Sequence, residues 1–114
     1  MPSRVESAAP QLIIKSFNAQ AVVAATGIAI WTPATGRRIR VLGYSFSATV
    51  AASISLCDAV VATKVFRGPI VAAAGIDSQP NLNILMAAIT TPLIIDVSAG
   101  STLTGSVWGV EEAA

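Results

Sequence analysis

The carboxylates that could do chemistry are Asp58, Asp77 and Asp96, the only acidic residues between Glu6 and Glu111. A glycosidase needs two such groups opposed across a sugar. Two of these three stand beside turns, where aspartates accept local backbone hydrogen bonds, so a structural role is expected. Arg37, Arg38 and Arg40 carry planar forks suited to phosphate or carboxylate. Either a solvated strand end or a charged contact with another protein accounts for them. Trp31 and Trp108 could stack on a sugar ring or a base, but a tryptophan in a strand more often fills a core or an interface. Cys57 is the single cysteine and, in SISLCDA, reads as a small buried hydrophobe.

The chain contains no histidine, which removes Ser-His-Asp triads, Cys-His pairs and histidine metal sites. It also lacks the GxxxxGK[ST] pattern of a phosphate loop. The expectation is therefore a protein that is not an enzyme, with no catalytic, cofactor-binding or metal residues.

These residues have to be carried by something, and composition bounds what it is. A chain of 114 residues makes one domain, able to bury roughly two thirds of its unfolded surface. Apolar residues make up 54% and charged residues 11%, less than half the roughly 25% charged usual for a soluble domain. Much of the surface is then expected to be covered by another chain. A net charge of +1 without a long basic run gives no nucleic-acid footprint. MPSRVESAAP has charges where a signal peptide needs its apolar centre, so that route of secretion is not expected. No stretch offers about 20 predominantly apolar residues, and no membrane partner is expected. The nearest approach, Leu82–Ile95, is broken by Pro92.

The chain is organised around Gly36–Val50, GRRIRVLGYSFSATV, a long β-rich run without a helix cap. Alternation places Arg38, Arg40, Leu42, Tyr44 and Phe46 on one face, and Ile39, Val41, Gly43 and Ser45 on the other. Ahead of it, QLIIKSF reads as a strand. Ala19–Trp31 reads as two short strands about Thr26-Gly27, with a helical turn as the alternative for AQAVVAA. Beyond it, SISLCDA is a strand closed by Asp58, and VATKVFRGPIVAA is a strand broken at Gly68-Pro69. GIDSQPNLN is a loop. LMAAITTPLIIDVSAG holds one strand ending at Thr91-Pro92 and another over Leu93–Ser98. In the last strand Leu103, Gly105, Val107 and Gly109 oppose Thr104, Ser106, Trp108 and Val110, and a large group is expected over the glycines. The sum is about eight or nine short strands spaced as in a sandwich or barrel. Ile39, Val41, Ile54, Leu56, Ile95, Val97 and Val107 are the expected core.

Four segments together carry a family likeness: Thr35-Gly36-Arg37-Arg38-Ile39-Arg40-Val41-Leu42-Gly43-Tyr44, Arg67-Gly68-Pro69-Ile70, Leu93–Gly100 (LIIDVSAG) and Gly105–Glu111 (GSVWGVE). They resemble the small β-sandwich proteins encoded among the structural genes of tailed bacteriophages. In that family a "GKKIRVL" strand opens the core, a "GP" break sits midway and an "L.L.LSAG..V.G...Y.E" hairpin closes the chain. The likeness runs over roughly Thr32–Glu112. It departs in the middle loop, here AAAGIDSQPNLN, and in residues 1–31, which precede the core. It implies an all-β fold, an antiparallel, jelly-roll-like β-sandwich. The function it implies is that of a capsid decoration or cement protein, often a homotrimer, that bridges major capsid subunits. It would be assembled in the host cytoplasm and located on the virion capsid surface. The alternative is a carbohydrate- or receptor-binding module of a phage tail or head fibre, for which Trp31 would have to be exposed.

Residues 1–17 read either as an N-terminal arm that pairs with a partner or as an ordinary first strand, with residues 18–114 as the sandwich. The candidate contact residues are Leu12, Ile13, Ile14, Phe17, Trp31, Arg37, Arg38 and Arg40. No cofactor is expected.

Overall fold

The computed structural model describes residues 11–113, and the first ten residues of the proposed arm lie outside that range. Nine strands follow one another: β1 (Ile13–Val22), β2 (Ile28–Trp31), β3 (Arg37–Ala48), β4 (Ala52–Asp58), β5 (Lys64–Val71), β6 (Ile76–Gln79), β7 (Ile84–Leu85), β8 (Leu93–Val97) and β9 (Ser101–Ala113). No helix occurs among the described residues.

The topology is that of a rolled ribbon. β4 and β5 form an antiparallel hairpin. Moving outward from it, β3 pairs with β6, β2 with β8 and β1 with β9, all antiparallel. Alternate rungs of this ribbon go to opposite sheets, giving the orders β1-β9-β3-β6 and β2-β8-β4-β5, with β7 against β3 beyond β6. Pairing of β3 with β9 and of β4 with β8 closes the roll. This is an all-β, two-sheet antiparallel sandwich with jelly-roll connectivity. All seven expected core residues are buried between the sheets, together with Trp31, Tyr44, Phe46, Leu93 and Leu103.

The β3–β9 seam corrects the expected alternation. Val41 faces Gly109 and Gly43 faces Trp108, so Leu42 is an extra residue on β3. A bulge of one residue reverses the parity of everything after it. The inward positions are therefore Ile39 and Val41 before the bulge, then Tyr44, Phe46 and Ala48 after it. The arginines do not begin the aromatic face. The glycines of β9 also serve another purpose than expected: a Cβ on Gly109 would run into the carbonyl oxygen of Arg40, so it is the β3 backbone that lies close, not a large side chain. The large group lies on the other face, where the Trp108 ring covers Gly43.

Other boundaries shift for the same tertiary reasons. The QLIIKSF strand and the start of the next run merge into β1 across an irregularity between Phe17 and Gln20. The Gly68-Pro69 break is a register shift inside a continuous β5. Part of the GIDSQPNLN loop is β6, held by β3, while the strand expected before Pro92 is reduced to the two residues of β7.

The three aspartates do not make local turn bonds. Asp58 Oδ2 accepts from the Ala87 and Ala88 amides at 2.8 and 3.3 Å. Asp77 Oδ2 accepts from the Tyr44 hydroxyl at 2.6 Å. Asp96 Oδ1 accepts from the Ala25 amide at 3.0 Å while Oδ2 lies 3.4 Å from Lys64 Nζ. Each buried carboxylate thus pins a distant segment and satisfies its amide, hydroxyl or ammonium donors, while Asp58 Oδ1 stays buried without a partner among the described residues.

Candidate functional site

The outer face of the five-stranded sheet is built by register. Ile14 of β1, Trp108 of β9 and Gly43 of β3 stand in one row across three strands. Because Gly43 has no side chain, the indole lies flat over it; a Cβ there would sit 2.6 Å from Trp108 Cζ2. Ile14 remains 59% exposed and Leu12, two residues before it on the same alternation, 53%. Val110 and Leu85, opposite Arg40 on either side, are half-buried on this face.

Charge borders the apolar strip. Arg40 grips Glu112 with Nε and Nη2, and its Nη1 donates to Asn83 Oδ1 at 2.6 Å. The hydrogen bond from Arg40 holds the Glu112 carboxyl below its usual range, and the same bond raises the Arg40 pKa. Arg38 stands opposite Glu112, and its Nε is buried without a partner among the described residues. Arg37 is exposed and reaches the Glu111 carbonyl at 3.4 Å.

Leu12, Ile14, Arg38 and Arg40 therefore share one surface. Ile13 and Phe17 turn the other way and pack against the core, with the Phe17 and Phe46 rings 5.3 Å apart. Trp31 is 2% exposed and its Nε1 donates to Glu111 Oε2 at 2.9 Å. Burial raises the Glu111 pKa, but the bonds from Trp31 and the Ala34 amide, with Lys15 and Arg37 nearby, outweigh it and lower the carboxyl overall. The sugar-binding reading loses its best residue in Trp31. Trp108, Val110, Leu85 and Glu112 belong to the surface and were missing from the candidates. The even positions of the β9 alternation were the available signal for Trp108 and Val110, while Leu85 is placed by β7, which no local pattern announces.

The outer face of the four-stranded sheet differs in kind. Ser53, Ser55 and Cys57 point outward from β4, yet all are buried. Lys64, Arg67, Asp96 and Ser98 enclose a depression of about 60 Å³ there with Ser53 and Ser55. Desolvation pushes the Cys57 thiol pKa up, the opposite of what a reactive cysteine requires. No group of three or more His, Cys, Asp or Glu able to hold a metal occurs among the described residues. No protein-family model matches the chain, and no curated protein matches it in sequence.

Proposed function

We propose that this chain is a non-enzymatic structural protein of a bacteriophage virion, a decoration or cement protein that bridges major capsid subunits and self-associates as a trimer on the capsid surface. The observation that carries an assembly role is the apolar strip on the outer face of β1 and β9, where Leu12 and Ile14 are more than half exposed beside Trp108. A chain with only 11% charged residues has little else to keep that strip wet. Covering it against a partner removes apolar area from water, worth about 25 cal/mol per Å² before the costs of association are counted. The Arg40–Glu112 pair beside it supplies a polar rim, which favours a fixed register over non-specific adhesion. The likeness to phage structural proteins supports the identity of the partner.

Sedimentation of the purified chain at micromolar concentration, alone and with capsid shells of the phage that encodes it, tests the proposal. The expected result is a species near three times the 11.6 kDa chain mass and co-sedimentation with shells. A monodisperse 11.6 kDa species that stays in the supernatant contradicts it.

A further inference from the structure

The depression on the opposite sheet carries a separate inference. Its floor is Ser53 and Ser55 of β4, 8% and 3% exposed. Among the described residues neither hydroxyl has a protein hydrogen-bond partner, although the Ser53 amide donates to Ser98 Oγ at 2.9 Å. Neither hydroxyl oxygen is among the fully buried atoms left without a partner, so both open into the depression and are free to donate to an occupant of it. The register brings Asp96 to one side of Ser55 and Arg67 to the other.

Charge decides what kind of occupant fits. Asp96 is already satisfied by the Ala25 amide and by Lys64, so this acid and this base offset one another. Arg67 has no carboxylate partner among the described residues and lines the depression beside the two hydroxyls. The local balance is one cation above two donors. A guanidinium fork with adjacent hydroxyls matches the paired oxygens of a carboxylate or phosphoryl group, whereas a cation would meet Lys64 and Arg67. The volume of about 60 Å³ exceeds what a single water fills and leaves room for such a group.

The geometry points to an oxyanion subsite in which Arg67 and the hydroxyls of Ser53 and Ser55 receive one carboxylate or phosphoryl group. This inference does not rest on the proposed virion role, because it uses the other sheet and different residues. The oxyanion has two sources, a free small anion or an Asp or Glu side chain of a docking protein.

The test is a titration of the full chain with inorganic phosphate, with acetate and with a short Glu-containing peptide, followed by amide and arginine Nε–H resonances. The expected result is saturable movement of Ser53, Ser55 and Arg67 signals at millimolar ligand, the range of a single charged contact. Arg67→Gln should weaken binding at least tenfold, and Arg67→Lys, which keeps the charge but not the fork, should recover only part of it. Phosphate binding tighter than the peptide identifies a free anion, and the reverse identifies a partner side chain. No saturable movement with any of the three, or equal movement in native protein and Arg67→Gln, overturns the inference. Unchanged resonances elsewhere in Arg67→Gln establish that the variant is folded, and Ser55→Ala provides a second route to the same answer.

Discussion

The two outer faces of the sandwich invert the ordinary relation between polarity and exposure. On the five-stranded sheet, Leu12 and Ile14 are apolar and open; on the four-stranded sheet, Ser53, Ser55 and Asp96 are polar and closed. The closed face is covered from within: Lys64 and Arg67 of β5 lean over β4, and the turn after β1 donates Ala25 N–H to Asp96. Among the described residues nothing equivalent lies over β1, whose outer edge is unpaired. Buried hydrogen bonds close one face and leave the other uncovered, the face through which association is proposed, because a polar surface can be satisfied internally whereas an apolar one has to be covered.

The comparison depends first on a shared core, and that is where the largest effect is expected. Val41 is fully buried at the bulge that sets which side of β3 faces inward. Val41→Asp places an unpaired charge there, at a cost of roughly 3–5 kcal/mol or more, comparable with the whole margin of a small domain. Soluble expression with a cooperative melt would remove Val41 from its structural role.

Asp96→Ala opens the closed face. It strips the Ala25 amide of its acceptor and Lys64 of its carboxylate, and a loss of about 1–3 kcal/mol in chemical denaturation is expected. An unchanged midpoint would mean that the turn after β1 is held by other contacts.

The core itself carries a pH signature. Desolvation and the bond to Asp77 push the Tyr44 pKa far above its ordinary value. Because the folded pKa is raised, the contribution is fully present below the ordinary tyrosine pKa near 10 and is lost as the pH rises toward the folded value. Tyr44 is the only tyrosine, so tyrosinate absorbance should stay absent above pH 10 until the chain unfolds. Absorbance growing in while the fold persists would contradict its burial.

Much of this architecture is legible in the sequence, and the failures have a common cause. Period-two spacing located Ile54, Leu56, Ile95, Val97 and Val107 because those strands run without a bulge between the sheets. It misassigned Tyr44 and Phe46 because Leu42 adds one residue to β3, and no local pattern distinguishes a bulge from regular strand. β6 was hidden in a run of loop-forming residues because its stability comes from β3 and from the Tyr44–Asp77 bond rather than from its own propensity. The candidate surface was half legible. Leu12 and Ile14 stood out as apolar residues near an end, but their neighbours Trp108 and Val110 come from a strand about ninety residues away, brought alongside by the β1–β9 register.

The most direct test of the central claim, that the open apolar face is the surface through which the chain is proposed to associate, is sedimentation of Ile14→Asp beside the native chain, alone and with capsid shells. Ile14 is exposed, so stability should change by no more than about 0.5 kcal/mol. The account predicts that the variant folds normally, sediments as an 11.6 kDa monomer and loses the shells, while the native chain does neither. A variant that associates and co-sediments as well as the native chain would contradict it.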